Sequence, residues 1–363
     1  MPADIVPLVG HHRLRDRLAA AVARSTLPGS LLLHGPSGIG KQRVALWLAQ
    51  LLLCQRARTS TSGDASAPCG QCQACRYSLE LIHPDLKWVF PQPRDADADV
   101  SDVWRSYADA VAKRVDEHLL YPAPSGAEAI YRVVVQALVQ AAALTPALGR
   151  RKVLVVGEAD RMVSQTGAEE AANAFLKLLE EPPEDTTIIL TSSAPGALLP
   201  TVRSRLAPVH VSALTDDDVR AWLRFDRVRE HREVAALLRN KNEDPVRKIA
   251  GAPGHVLQSR SEAVDRARQL LNAARGSAPD QVFAAALQLG ATGARGTFAP
   301  VLTELAELLG EEMRQAIRRG DFEQARASAT GIENVEWARE RADNNAIPQL
   351  VGAELVRLLA SRN

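Results

Sequence analysis

Two groups of residues in this 363-residue chain have the types and spacing that chemistry requires. The first is Gly35-x₄-Gly40-Lys41, with Gly38 between, inside SLLLHGPSGIGKQ (30–42). Glycines let the backbone turn tightly there, so that successive N–H groups and the start of the next helix face phosphate oxygens. Lys41 is placed to reach the outer phosphates of a nucleotide, and the next residue should offer Mg²⁺ a hydroxyl. Gln42 stands there instead. An amide is a poor substitute directly beneath the β/γ oxygens, so the loop has the shape of a nucleotide site with its metal handle altered.

The second group is Cys54-x₁₄-Cys69-x₂-Cys72-x₂-Cys75. Four thiolates so spaced can surround one Zn²⁺ tetrahedrally. With no spare ligand and no adjacent Glu or His base, such a site is structural rather than catalytic. His83, in HPD just beyond, reads as a loop hydrogen-bonder.

The elements that must hold these groups follow from apolar patterning. Leu31–Leu33 form a buried strand before the loop, and Val44, Leu48, Leu51 and Leu52 form the inner face of the helix after it. Further strands are expected near 87, 153, 187 and 209, alternating with helices, which predicts an α/β fold around a parallel sheet over residues 1–211. The strand at Val153–Val156 is followed by Gly157-Glu158. Nucleotide hydrolases place Asp-Glu there, the Asp supporting Mg²⁺ and the Glu activating water. The metal-supporting carboxylate is therefore absent, and Asp160 lies two residues beyond the Glu.

Residues 91–128 are rich in Pro, Asp and Ala and read as an insertion, a solvated acidic loop around a short helix near Val103–Leu120. No function attaches to it from sequence. Residues 212–258 predict a small helical domain that opens on a Thr215/Asp218 capping box, with a third helix beginning in GAPGHVLQ. Residues 259–363 contain nothing strand-like, and their long amphipathic segments predict an all-α domain.

Composition bounds the rest. The apolar fraction of 46% and charged fraction of 24% are those of a globular protein, and a net charge of +1 gives no overall pull toward nucleic acid. The N-terminus lacks the apolar run of a secretory signal, no segment reads as a membrane span, and the cysteine usage suits a reducing compartment. A cytoplasmic location is expected, and no membrane partner.

The phosphate loop, the cysteine spacing, NAFLKLLEEPP (173–183) and Ser204-Arg205-Leu206, in that order, resemble the bacterial clamp-loader family. This is the AAA+ group that opens a ring-shaped sliding clamp and closes it on DNA within the DNA polymerase III holoenzyme. The resemblance implies an AAA+ core, a helical lid at 212–258 and a helical collar for oligomerisation at 259–363. It implies partners too: motor subunits (gamma/tau), a clamp-opening delta subunit, and, through the assembled complex, the sliding clamp and primed DNA. Residues 91–128 exceed the family's usual connection, and Leu206 stands where its motif ends in Cys.

Motor subunits need Ser/Thr after the Lys, Asp-Glu after the later strand, and an Arg in the lid. This chain has Gln42, Gly157-Glu158 and Gly254. The three departures imply a non-motor subunit without ATP turnover of its own, with Gly35, Gly38, Gly40 and Lys41 keeping weak or vestigial ATP/ADP binding or none. The resemblance places an arginine finger for a neighbour's ATP at Arg205, with Arg203 its rival. Two alternatives stand beside this one. A working motor would have to use Gln42 and Asp160 for metal. A zinc-dependent DNA-binding protein would want a basic cluster around Cys69–Cys75, where only Arg56, Arg58 and Arg76 are near in sequence.

Overall fold

A computed structural model describes residues 4–59, 66–93, 99–122, 128–162, 169–240, 244–257, 260–275, 295–343 and 348–360. The chain divides into two compact units, one of residues 1–123 and 129–258, the other of residues 124–128 and 259–363.

The first unit is built on a five-stranded, all-parallel sheet. Its strands are β1 (Ser30–His34), β4 (Leu86–Val89), β5 (Lys152–Val156), β6 (Thr186–Ser192) and β7 (Ala207–His210), in the order β4-β5-β6-β1-β7. The three inner strands are nearly continuous apolar runs because a parallel sheet is covered on both faces. Every residue of β5 and β6 is buried, as are the first four of β1. β7 closes one edge with alternating exposure and carries Pro208, which an edge strand tolerates because it owes no N–H on its open side.

Helix α1 (His12–Ala23) packs against α2 (Lys41–Leu53), and α2 packs on β1, β5 and β6. Helix α5 (Arg132–Ala143) lies on β5 and against α6 (Glu169–Glu180). The fold class is the one expected, an α/β phosphate-loop core with a parallel sheet followed by helical regions.

Three local readings need correction. Between Cys54 and Cys69, where the sequence reads as spacing alone, lies a two-stranded antiparallel ribbon, β2 (Arg58–Thr59) with β3 (Ser66–Ala67), too short for alternation to betray it. The GAPGH stretch is a single 3₁₀ turn at Pro253–His255 rather than a helix start. The insertion is not merely solvated. Its helix α4 (Val103–Asp116) buries Val103 and Tyr107 in the main apolar core, and Tyr107 Oη donates to Phe90 O at 2.6 Å.

Helices α7 (Pro200–Arg203), α8 (Asp216–Trp222), α9 (Asp226–Glu230), α10 (Arg232–Arg239) and α11 (Pro245–Ile249) follow in the first unit. The Thr215/Asp218 capping box forms as expected at the start of α8. The last four helices share a second apolar cluster, with Val219, Trp222, Val228, Val234 and Ile249 at its centre. The second unit contains α12 (Arg260–Arg275), α13 (Arg295–Arg319), α14 (Phe322–Asp343) and α15 (Pro348–Ala360). They close over a core of their own that includes Leu302, Leu305, Leu309, Val335 and Leu355. No strand occurs among its described residues, and no described helix is long and apolar enough to cross a membrane.

Candidate functional site

The loop after β1 leaves the sheet at the C-terminal ends of its strands, where open α/β sheets bind ligands. Gly40 caps α2 with φ of 92°, a left-handed value that a side chain would strain. Lys41 is buried, and its three ammonium protons are occupied. Nζ donates to the carbonyls of Gly35 (3.0 Å) and Pro36 (2.7 Å) and to Ser193 Oγ (2.8 Å). Burial lowers the Lys41 pKa, while the charges of Glu158 and Asp160 oppose that shift. The loop's cation is thus held by the loop's own backbone and by the end of β6.

Gln42 is buried as well, and its Oε1 accepts from Trp88 Nε1 of β4 at 3.1 Å. Its amide fills the space beside Gly157: a Cβ on Gly157 would lie 2.6 Å from Gln42 Cδ. The altered residue after Lys41 and the missing carboxylate after β5 therefore fit one another. Glu158, next along, has a left-handed backbone (φ 51°) and donates its N–H to Thr191 Oγ1 at 3.0 Å. Burial and the nearby Asp160 raise its pKa. Asp160 itself accepts from Ser193 N at 3.3 Å.

The GAPGH turn rests on the tip of the loop. Gly254 N donates to Gly38 O at 2.8 Å, and a Cβ on Gly254 would lie 2.8 Å from Gly38 Cα. Only a residue without a side chain fits so close.

All four cysteine sulfurs lie within 4.8 Å of one another, Cys54 to Cys72 at 4.0 Å and Cys69 to Cys75 at 3.8 Å. A tetrahedral ion with arms of about 2.3 Å needs edges of about 3.8 Å, so the set fits one metal ion. Backbone N–H groups also point at the sulfurs. Cys54 Sγ accepts from Arg56 and Cys69, and Cys69 Sγ from Gln71 and Cys72. The bonds from Cys72 and Gln71 pull the Cys69 thiol down to about 6, whereas burial pushes Cys54 and Cys75 up. His83 stays out of the cluster. It is buried, and its Nδ1 accepts from Asp85 N at 3.1 Å.

Arg205 lies between α7 and β7. Its Nε donates to Glu180 Oε2 at 3.1 Å and its Nη1 to Thr201 O at 2.8 Å. The guanidinium is thus held at one edge by the end of α6. Arg203, two residues earlier, is exposed.

Residues 10–215 match the family described as DNA polymerase III, delta subunit. The chain belongs to this family. Relatives include subunit delta′ of Pseudomonas aeruginosa, 35% identical over 174 residues, or 48% of this chain and 40% of the relative. Subunit delta′ of Bacillus subtilis is 28% identical over 193 residues, 53% of this chain and 45% of the relative. Subunit tau of Escherichia coli is 26% identical over 230 residues, 63% of this chain and 29% of the relative. The chain thus matches less than half the length of each. A gamma subunit-related protein from Thermotoga maritima is 19% identical, with a TM-score of 0.36 over 78% of this chain and 97% of that one.

Sequence reasoning found Lys41, Gln42, Gly157 and Arg205 but missed three of their partners. Trp88 reads as one more apolar strand residue, Ser193 as a strand end, and Glu180 as half of an acidic pair closing a helix. Nothing local marks any of them. Each acquires its role only when β4, β6 and α6 are brought beside the loop or Arg205.

Proposed function

We propose that the chain is a non-motor, delta-prime-type subunit of the replicative clamp loader, which supplies Arg205 in trans to the ATP of a neighbouring motor subunit. The observation that carries the reading is the fit between Gln42 and Gly157. A Mg²⁺ site needs a hydroxyl at one position and a carboxylate at the other, and here an amide held by Trp88 spans both. Occupied donors on Lys41 and the close seat of Gly254 on Gly38 support it.

A subunit without metal ligation still contributes to hydrolysis by offering a cation to the next subunit's nucleotide. Guanidinium suits that task because it stays charged and bridges phosphate oxygens in a planar fork. Glu180 and Thr201 engage Nε and one Nη1 proton, which leaves Nη2 and the second Nη1 proton of Arg205 to face phosphate oxygens. The partners on this reading are gamma/tau-type motors and a clamp-opening delta subunit, with the clamp and primed DNA met through the assembly in the cytoplasm. Cys54, Cys69, Cys72 and Cys75 hold a structural Zn²⁺ that ties the end of α2 and the segment after β3 to α3 (Gln73–Leu79).

The test is reconstitution with motor and clamp-opening subunits. The isolated chain should turn over no ATP above background. An arginine finger is worth about 10³-fold or more at the site it serves. Arg205→Ala should therefore assemble normally yet lower clamp loading at least about tenfold, while Arg203→Ala does much less. Wild-type loading by the Arg205→Ala complex would refute the assignment, and Mg²⁺-dependent turnover abolished by Lys41→Ala would refute the non-motor reading.

A further inference from the structure

The insertion, to which the sequence attaches no function, stands between two apolar clusters of the first unit. Residues His118 and Leu119 both take left-handed backbone (φ 57° and 58°), so the chain reverses sharply after α4. Leu119 is buried in the main α/β core. Leu120, its neighbour, is buried in the cluster of α8–α11 with Val6, Trp222 and Val228. Two adjacent leucines thus anchor in the two bodies that the 212–214 connection joins.

Both sides of this anchorage are reinforced. On the core side, Tyr107 is bonded to Phe90 O, and the Arg114 guanidinium carbon stacks 3.2 Å from the Phe90 ring centroid, 3.9 Å from that of Tyr121 and 4.9 Å from that of Trp88. Trp88 is the residue that holds Gln42, so this packing continues into the phosphate-loop site. On the helical side, Val6 N donates to His118 O at 3.1 Å, and His118 Nδ1 bonds to Asp4 O at 2.6 Å. The Asp4 carboxylate in turn accepts from Arg227 of α9, with Nε at 2.6 Å.

We infer that residues 103–122 are an internal clamp that fixes the α8–α11 helical region against the α/β core. The segment holds shut, by packing, a cleft that lid-bearing proteins of hinge type close around a ligand. A lid attached only through 212–214 can swing about that connection. Here swinging would pull Leu120 from one core or Leu119 from the other, and would break the Asp4–Arg227 tie. The same fastening keeps Gly254 seated on Gly38. The inference goes beyond the assignment of Arg205 and stands whether or not that residue acts in trans.

Hydrogen–deuterium exchange on the full chain tests it, read by segment without nucleotide. Leu120→Ala should speed exchange of α8–α11 and of the Gly254 amide by about tenfold or more, with β1 and β5 unchanged. Arg227→Ala, an exposed change that leaves both cores intact, should speed the same segments about two- to threefold, as loss of a surface ion pair allows. An increase confined to 117–122, with α8–α11 unmoved in both variants, would overturn the clamp. So would an equal increase across α8–α11 and the sheet, because the two bodies would then be one cooperative core that needs no fastening.

Discussion

A carboxylate at position 157 would need the volume that the Gln42 amide occupies, and a hydroxyl at 42 would leave Trp88 Nε1 without its acceptor. The two positions are therefore coupled, and reverting them singly should be harmful. Gly157→Asp should destabilise the chain by about 1–3 kcal/mol through overpacking and an added buried charge. Adding Gln42→Thr should recover a measurable part of that loss, which a double-mutant cycle by urea unfolding reads directly. Additive effects would show that the two side chains do not compete for the space. The cysteines give a second prediction at this scale. Protein made without an affinity tag should carry one zinc per chain, and Cys72→Ser should lose the metal and destabilise the core unit. No metal, or a disulfide within the set, would refute it.

Among the elements, the turn between α5 and β5 is fastened to the start of β4 by one side chain. The Asp85 carboxylate accepts from Leu148 N (2.8 Å) and Gly149 N (2.9 Å), and from Ala147 N. Burial pushes its pKa up, but these bonds pull harder and leave it below the ordinary 3.8. The resulting stability is full above that value and is lost as pH falls through it toward the folded-state pKa. Asp85→Asn should cost about 1–3 kcal/mol at neutral pH, and the gap to wild type should narrow as pH falls below the ordinary 3.8 toward the folded-state pKa. A gap that stays constant down to pH 2 would place the effect elsewhere. Legibility also divides at this scale. β1, β5 and β6 are readable because a strand covered on both faces is a continuous apolar run, and α8 is readable because Thr215 and Asp218 mark its start. The four cysteines are readable because three of them fall on one turn and the short helix after it. The core-facing side of α4 is not readable, since its composition is that of a solvated helix and its anchors, Phe90 and Trp88, come from another part of the chain. The seat of Gly254 on Gly38 is hidden for the same reason.

Among the described residues, two large apolar clusters and a small one at the cysteines belong to residues 4–257, and another large one to the four helices of the second unit. Separate cores unfold with separate cooperativity. Calorimetry of the metal-loaded chain should therefore show more than one transition, with a calorimetric enthalpy exceeding the van't Hoff value. A single two-state transition would mean that the units share one cooperative fold. Lys41 carries a further consequence at this scale. Its ammonium is satisfied by two loop carbonyls and a serine hydroxyl, so the loop keeps its shape with no ligand to brace it. If the chain serves as the non-motor subunit proposed above, a loop braced in this way changes little with the ratio of ATP to ADP around it, and motor neighbours that do change with energy supply would have a fixed bearing from which to move.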